Sequence, residues 1–437
     1  MTEIKSAALE LGTERIRKLL VQYAVPAIIA MTASSLYNMV DSIFIGHGVG
    51  PLAISGLALT FPLMNLAAAF GSLVGVGAAT LISMRLGQRD YETAQRVLGN
   101  VLVLNLIIGI AFGLVALLFL DSILYFFGAS EATIGYAREY MTVILLGNVV
   151  THMYLGLNSV LRASGHPRKS MYATINTVVI NTILDPLFIF GFGWGIRGAA
   201  IATVLAQVIS LVWQLRILSN KQELLHFRRG IYRLRKKIVR DMLAIGMSPF
   251  LMNLAACFIV ILINKGLKEY GGDLMIGAYG IVNRLAFFFV MIVLGVNQGM
   301  QPIAGYNFGA KQYDRVMHVL KLTMIGATCV TTAGFLLGEF MPRLAVGMFT
   351  SDEELIRLAV EGMRIVFFCF PIIGFQMVAT NFLPHIFDVC TEWNGSWGVW
   401  CSMPLSDFLA SLVAFFMLTY QLRKFRAIGA ENAAKEG

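Results

Sequence analysis

Two aspartates lie inside long apolar stretches of this 437-residue chain. Asp41 belongs to the run YAVPAIIAMTASSLYNMVDSIFIGH, and Asp185 belongs to NTVVINTILDPLFIF. A charged carboxylate at the centre of a membrane-spanning helix costs roughly 2.5–3.5 kcal/mol, so such residues usually face a bundle interior and have a function there. We therefore expect the two aspartates to form a proton or cation site that is coupled to the movement of another molecule.

Polar side chains accompany both aspartates at helical spacing. Asn181 and Asp185 stand at positions i and i+4, on one face of a helix. Ser34, Tyr37 and Asn38 adjoin Asp41 in the same way. Two carboxylates in a poorly hydrated pocket cannot both ionise cheaply, which favours reversible proton binding. Carboxylate, amide and hydroxyl oxygens are also ligands for a small hard cation such as Na⁺.

Each of these residues also has a purely structural interpretation. Asp41 precedes a glycine-rich stretch and could lie near the membrane surface at the end of a short helix. Asp185 precedes Pro186 and could cap a helix end. Asn181 and Thr203 could make ordinary hydrogen bonds between helices.

The composition is that of an integral membrane protein. The chain is 57% hydrophobic and 14% charged, with a mean hydropathy of +0.72, whereas soluble domains carry about 25% charged residues. The net charge of +9 does not indicate a nucleic-acid partner, because the basic residues lie in short loops between apolar runs. The five cysteines are scattered and predict neither a disulfide framework nor a zinc site.

Eleven apolar runs are long enough to span a bilayer, and alternate loops between them are rich in Lys and Arg. This alternation places the N-terminus in the cytoplasm. The runs cover residues 19–45, 52–83, 97–120, 136–161, 171–193, 195–219, 241–267, 275–306, 317–346, 358–382 and 397–420.

The two halves of the chain repeat with an offset of 222 or 223 residues. Pro26 corresponds to Pro249 and Gly87 to Gly309, and SMRLGQRDYETAQRVL and AGYNFGAKQYDRVMHVL are two copies of one connector. Because six spans separate the copies, the repeats are parallel, and such repeats bind substrate near the membrane midplane. We predict an all-α polytopic membrane protein with two parallel pseudo-symmetric bundles of six helices.

The predicted organisation has three parts. Residues 1–219 form an N-terminal six-helix lobe, residues 220–240 a basic cytoplasmic interlobe loop, and residues 241–437 a C-terminal lobe. The second bundle is one span short, because about twenty residues are missing near 383–396 relative to the first half, the length of one span.

Several motifs together resemble the multidrug and toxic compound extrusion (MATE) family. They are PAIIAMTASSLYNMVDSIFIG, LGQRDYETAQR, LRASGHPRKSM and GVWCSMPLSDFLASL. The resemblance implies an inner-membrane antiporter that exports amphipathic or cationic small molecules in exchange for H⁺ or Na⁺. We expect it to act as a monomer in the lipid bilayer and not as an enzyme, and to need no cofactor beyond the coupling ion.

The resemblance also implies which residues bind the coupling ion. The aspartate of the first helix, the asparagine and aspartate of the fifth and the threonine of the sixth correspond here to Asp41, Asn181, Asp185 and Thr203. Some relatives use an acid in the seventh helix. The counterpart of Asp41 there is Asn264, and the sequence has no Asp or Glu between Gly246 and Lys265.

We interpret Pro26 as a hinge in the first helix, because proline interrupts the helical hydrogen bonds. Candidate substrate-binding residues are aromatic, polar or methionine side chains that suit a promiscuous cavity. Individually, such residues are more often lipid-facing or core residues. They are Met31, Tyr37, Phe61, Met64, Tyr154 and Asn158.

Other functions receive less support from the sequence. A lipid-linked precursor flippase would need a more basic central cavity, and a membrane-embedded hydrolase would need a catalytic constellation that is not apparent. An ATP-driven pump is disfavoured because no GxxxxGK[ST] motif occurs. An ion channel stays open as an alternative.

Overall fold

The computed structural model describes residues 10–228, 230–348, 353–368 and 370. All the regular structure of these residues is helical. The predicted deletion near 383–396 and the predicted last span, 397–420, lie outside the described residues. The fold-class prediction of an all-α membrane protein is confirmed.

Twelve helices and one π-helical turn, Leu187–Gly191, make up the described fold. The helices are α1 (Ile16–Gly48), α2 (Pro51–Gly87), α3 (Tyr91–Leu118), α4 (Leu120–Phe126), α5 (Ile134–Leu146), α6 (Asn148–Ala163), α7 (Pro167–Pro186), α8 (Gly195–Ser219), α9 (Lys236–Gly309), α10 (Tyr313–Phe340), α11 (Pro342–Gly347) and α12 (Glu353–Phe368). In the described part of the chain, seven helical segments are long and apolar enough to span a membrane, or eight when α5 and α6 count as one bent span.

The fourth predicted span, 136–161, is not one straight helix. The axes of α5 and α6 differ in direction by 56°. Gly147 separates them with φ −80° and ψ −1°, whereas ψ in a regular α-helix is about −42°. A Cβ atom at this position would lie 2.5 Å from a methyl group of Val204 in α8. The close approach of α8 therefore requires a glycine, and a glycine is also where a helix breaks most easily.

The basic interlobe segment is fastened to the N-terminal helices at two points. Lys169 Nζ donates to Glu223 Oε1 over 2.6 Å, and His166 Nε2 lies 3.0 Å from the other carboxylate oxygen of Glu223. Asn100 of α3 accepts a hydrogen bond from the backbone N–H of Arg235 over 3.1 Å. Specific bonds therefore attach this segment to α3 and to the start of α7.

The described residues form two compact units. The first unit contains the described residues up to Cys257 together with Leu294–Val319, and the second contains Phe258–Val293 and the described residues from Leu320 onward. The second unit has its own core, in which the rings of Phe367 and Phe370 stack with centroids 4.2 Å apart. Phe289 packs edge-on against both rings.

Within the first unit, the two copies of the connector contact each other reciprocally. A Cβ atom at Gly87 would lie 2.0 Å from the carbonyl oxygen of Tyr306, and one at Gly309 would lie 2.0 Å from the carbonyl oxygen of Met84. Both residue pairs are related by the offset of 222 found in the sequence. Reciprocal contacts of this kind arise at a twofold axis. The pseudo-symmetry predicted from the sequence is therefore present in the packing, and only glycine fits at both positions.

The same offset relates a second pair of close contacts. Gly77 of α2 packs against the backbone of α9. A Cβ atom at Gly77 would lie 1.9 Å from the carbonyl oxygen of Met242 and 3.2 Å from the backbone nitrogen of Gly246. In the repeat, Gly299 corresponds to Gly77 and Ala24 corresponds to Gly246. A Cβ atom at Gly299 would lie 2.5 Å from the backbone of Ala24. Small residues thus allow backbone-to-backbone packing at equivalent places in both halves.

Helix α9 cannot be straight, although its helical hydrogen bonding is continuous. Near its start Gly246 contacts Leu73, and at its end Gly309 contacts Met84, both in α2. The two partners are about 16 Å apart along α2 at 1.5 Å per residue, whereas a straight helix would separate Gly246 from Gly309 by about 95 Å. The chain therefore reverses direction within α9, in agreement with the two predicted spans 241–267 and 275–306.

Arg89 and Lys311 are the residues other than glycine with a left-handed backbone among those described, with φ values of 60° and 59°. They correspond to each other in the repeat, and each follows the end of a helix. Asp90 N donates to Arg85 O over 2.9 Å, and Gln312 N donates to Asn307 O over 2.8 Å. These are the bonds of a cap in which glycine is usual.

Arginine and lysine are costly at these two positions. A left-handed backbone costs roughly 1–2 kcal/mol for a residue other than glycine. A cation at a helix C-terminus contributes about 0.3–1 kcal/mol. The interaction with the helix dipole therefore offsets only part of the backbone cost.

Candidate functional site

Helices α1, α7 and α8 bring the four predicted ion-binding residues together inside the first unit. Asp41, Asn181, Asp185 and Thr203 are 5%, 1%, 0% and 7% exposed. The Asn181 amide Nδ2 donates to Asp185 Oδ1 over 3.2 Å and to Thr203 Oγ1 over 3.3 Å. Asn181 therefore links the carboxyl group of α7 to the hydroxyl group of α8.

The two carboxyl groups lie within hydrogen-bonding reach of each other. Asp41 reaches the site from α1 and Asp185 from α7. Two ionised carboxylates offer only acceptor atoms, so a hydrogen bond between them requires a proton on one of them. The geometry therefore fits a carboxyl pair that shares a proton, and the same closeness gives two negative oxygens to a bound cation.

Three buried oxygen atoms of the site have no hydrogen-bond partner among the described protein atoms: Asp41 Oδ1, Asp185 Oδ2 and Asn181 Oδ1. Buried polar atoms are normally paired, and those that are not indicate a strained or functional position. Carboxylate and amide oxygens are hard ligands that suit Na⁺. The atoms available therefore fit a small cation as well as a proton.

Two tyrosines border the site, and only one of them was a candidate from the sequence. The hydroxyl groups of Tyr37 and Thr203 are 2.9 Å apart. The Tyr140 side chain lies near the same threonine, on α5, and is 1% exposed. Tyr140 lies within the predicted span 136–161, and no pattern in the sequence distinguished it from other tyrosines.

Helix α7 continues past Asp185 into the π-helical turn. Pro186 has no N–H to donate, and one wider turn follows, in which Phe192 N donates to Leu187 O over 3.0 Å. The end of α1 packs on this turn, since a Cβ atom at Gly48 would lie 2.4 Å from Ile189. Wide turns of this kind occur frequently at functional sites.

The surroundings of the two aspartates differ from the structural alternatives. Asp41 is followed by two further turns of α1, which ends at Gly48. Asp185 accepts a hydrogen bond from the side chain of Asn181. The carboxyl groups thus contact one another and polar side chains, rather than lying in bulk solvent.

The predicted substrate-binding residues contact different parts of the first unit. Tyr37 belongs to the carboxyl site, and Met64 packs against the core while accepting a hydrogen bond from Thr60 over 3.7 Å. Phe61 is 40% exposed. Met31 accepts a hydrogen bond from Gln298 over 3.7 Å.

Tyr154 and Asn158 belong to a polar network between α6 and α7. Asn158 Nδ2 donates to Thr174 Oγ1 over 3.0 Å, and Asn158 Oδ1 accepts from Ser170. Tyr154 is buried, and its hydroxyl reaches Thr174 as well. The predicted hinge residue Pro26 is buried within α1, which is continuous on both sides of it.

A family model, MatE, matches two stretches of this chain, residues 26–187 and 246–389, which together make up more than half of its length. The chain belongs to the MATE family. The two matched stretches fall one in each half, in agreement with the repeat. The resemblance seen in the sequence motifs is thereby confirmed, and the carboxyl site lies within the first matched stretch, with Thr203 just beyond it.

Relatives in the MATE family include curated proteins and solved structures. Multidrug export protein MepA of Staphylococcus aureus is 29% identical over 370 residues, which cover 84% of this chain and 81% of MepA. A solved structure of the MATE multidrug transporter DinF-BH is 33% identical, with a TM-score of 0.79, and the match covers 95% of this chain and 97% of that one.

A second solved MATE structure supports the fold alone. The outward-facing conformation of a multidrug resistance MATE family transporter of the MOP superfamily is 22% identical to this chain. It superimposes with a TM-score of 0.81, covering 96% of this chain and 98% of that one. The two pseudo-symmetric helical bundles are therefore a property of this chain as well.

Proposed function

We propose that this MATE protein is a secondary active multidrug exporter that exchanges amphipathic or cationic compounds for H⁺ or Na⁺. The proposal rests on the buried carboxyl pair, Asp41 and Asp185, which together with Asn181 presents three oxygen atoms without a hydrogen-bond partner among the described residues. Relatives named as multidrug export proteins and transporters support the direction and the substrate class. The protein is thus a transporter rather than an enzyme.

Exchange follows from a difference in binding between two conformations. An empty site holds up to two negative charges in a poorly hydrated pocket, whereas a site with a proton or Na⁺ is closer to neutral. The bound cation lets α1 pack closely on α7 and α8, with Pro26 as the point at which α1 bends. A ligand shifts a conformational equilibrium only when it binds the two states unequally, and the carboxyl pair supplies that inequality.

Either coupling ion is compatible with the atoms of the site. A single proton satisfies the contact between Asp41 and Asp185. A sodium ion also recruits the carbonyl oxygen of Asn181 and the hydroxyl of Thr203, with Tyr37 and Tyr140 positioning that hydroxyl. A Thr203 variant therefore distinguishes the two coupling ions. Loss of the hydroxyl removes a ligand for Na⁺ but does not affect a proton shared by the carboxyl groups.

The remaining parts of the proposal concern topology and substrate. The protein lies in the inner membrane with its N-terminus in the cytoplasm, because the loops on that side are rich in Lys and Arg. Residues 1–219 and 241–437 form the two lobes, joined by the basic loop 220–240. The substrate contacts residues of the first lobe, with Met31, Tyr37, Phe61, Met64, Tyr154 and Asn158 as candidates.

Inverted membrane vesicles give the test. Uptake of a fluorescent cationic dye is measured with a proton gradient and with a sodium gradient, each imposed alone. We expect wild-type vesicles to accumulate dye with at least one gradient, and Asp41→Asn vesicles with the same amount of protein to accumulate none. Gradient-driven accumulation by Asp41→Asn at the wild-type rate would refute the proposal.

A further inference from the structure

The two connectors line an open cavity of about 430 Å³ in the first unit. Its wall includes Gly12, Thr13, Gln88, Arg89, Lys311 and Gln312. Gly87 and Gly309 lie at its base, where the connectors touch. A volume of this size is in the range of cavities that hold small ligands. The cavity is separate from the carboxyl site, since none of the carboxyl-site residues lines it.

The segments that line the cavity are held in place by packing and hydrogen bonds. The residues before α1 pack on the second connector, with Leu11 fully buried and Gly12 against the ring of Tyr306. Asn307 Nδ2 donates to Leu11 O over 2.9 Å, and Arg315 donates to Glu14 O over 2.7 Å. The guanidinium of Arg315 is therefore engaged by backbone carbonyl groups.

Two cations remain at the rim of the cavity. Arg89 and Lys311 are exposed, and neither forms an ion pair with another described residue. The acidic residues close by in sequence lie outside the wall of the cavity. Asp90 contacts Arg85 at 3.7 Å, and Glu14 bonds to Lys18 at 3.0 Å, while Asp314 is exposed on the first turn of α10. The wall itself contains two positive groups and no acidic side chain.

The backbone at both cations adds a second observation. Arg89 and Lys311 take up the left-handed conformation that glycine would adopt at lower cost, and they do so at equivalent positions of the repeat. The interaction of a cation with a helix end offsets only part of this cost. Residues in such unfavourable conformations cluster at functional sites and at ligand clamps.

From this geometry we infer that the cavity binds a phosphate-type oxyanion between Arg89 and Lys311. The ligand is either a free phosphate compound or the phosphate of an anionic lipid headgroup, since both carry the same charged oxygens. Arginine and lysine are the usual partners of phosphate, and the amides of Gln88 and Gln312 offer further donors. The bound oxyanion holds the two connectors together and so stabilises the packing of Gly87 on Tyr306.

The test uses the purified full-length chain and a variant that is expected to fold. Arg89→Gly with Lys311→Gly removes both cations and places glycine where the backbone favours it. Lys236→Gln with Lys237→Gln is the matched control, because it removes two exposed positive charges that do not line the cavity. Thermal unfolding and calorimetric binding are measured in nonionic detergent with inorganic phosphate or chloride at equal ionic strength. The same unfolding measurement is made in nanodiscs of phosphatidylglycerol or phosphatidylcholine.

We expect phosphate, phosphatidylglycerol or both to raise the unfolding temperature of the wild type and of the control. The double glycine variant should bind at least about tenfold more weakly, because two charge-assisted contacts are lost. A response to phosphate alone identifies a soluble ligand, and a response to phosphatidylglycerol alone identifies a lipid headgroup. The inference is overturned if the wild type responds to neither, if the double glycine variant responds as the wild type does, or if the control loses the response equally.

Discussion

The connectors and the carboxyl site differ in how they use the internal repeat. At the connectors, Gly87 and Gly309 occupy equivalent positions and make equivalent contacts. At the carboxyl site, Asp41 has Asn264 as its counterpart in the sequence, and no acid stands between Gly246 and Lys265. The repeat thus supplies a symmetric frame of helices packed through small residues. The proposed ion-binding site lies where the two halves differ.

Removal of either acid should have the largest effect on transport. Asp41→Asn and Asp185→Asn keep the size of the side chain but remove a carboxylate that takes up and releases the cation, so cation-driven dye accumulation should fall to the level of empty vesicles. Asp314→Asn is the control, because this acid is exposed on α10. Dye transport is measured in vesicles matched for protein content. If Asp314→Asn lowered transport as much as Asp41→Asn, the special role of the first-half site would be contradicted.

Alanine at either connector glycine should destabilise the fold. A Cβ atom at Gly87 or Gly309 would meet a backbone carbonyl oxygen at 2.0 Å. Overpacking of this kind typically costs about 1–3 kcal/mol. Gly135→Ala is the control, since open space surrounds that position in α5 and alanine there should stabilise by up to about 1 kcal/mol.

The connector variants also test the symmetry itself. Thermal unfolding of purified Gly87→Ala and Gly309→Ala should show losses of similar size, because the two contacts are equivalent. If only one variant lost thermal stability, the two contacts would not be equivalent, and the connectors would not be a symmetric part of the fold.

The tyrosine that the sequence did not indicate should have a moderate effect. Tyr140→Phe removes a hydroxyl beside Thr203, and loss of one polar contact of this kind corresponds to about 0.5–1.5 kcal/mol, or up to roughly a tenfold rise in the cation concentration for half-maximal transport. Tyr172→Phe, at a tyrosine that is 50% exposed, serves as the control. Unchanged cation dependence in Tyr140→Phe would exclude this residue from the site.

The smallest effect is expected at the left-handed cations. Lys311→Gly alone relieves the unfavourable backbone and should raise the free energy of unfolding by about 0.5–1 kcal/mol in chloride without added phosphate. Denaturant or thermal unfolding in detergent measures the change, with Lys321→Gly as the control inside helix α10, where glycine should destabilise. If Lys311→Gly were less stable than the wild type, contacts of the lysine side chain would have to stabilise the connector.

Much of the fold follows from simple sequence patterns. Apolar runs predicted the first six spans, and the offset of 222 predicted the pseudo-symmetry that the reciprocal contacts of Gly87 and Gly309 display. The bend at Gly147 was not predicted, because it depends on the approach of Val204 from a distant helix. The left-handed backbone of Arg89 and Lys311 was hidden in the same way, since these residue types do not indicate that conformation.

The carboxyl site was more predictable than the residues around it. A charged residue inside an apolar run stands out from its neighbours, so Asp41 and Asp185 could be found from sequence alone. Tyr140 could not, because nothing in the sequence distinguishes it from the other tyrosines of the chain. The substrate-binding residues remain a prediction, because methionine and aromatic side chains are common throughout the apolar runs.

Release of H⁺ or Na⁺ when substrate is added would show directly whether the carboxyl pair couples ion binding to substrate binding. Purified wild-type protein in weakly buffered detergent is mixed with a cationic dye, while pH and bound ²²Na⁺ are followed together. The carboxyl pair predicts release of H⁺ or Na⁺ from the wild type and none from the variant that combines Asp41→Asn with Asp185→Asn. Dye binding by the wild type without release of either ion, or equal release from the double variant, would contradict the account.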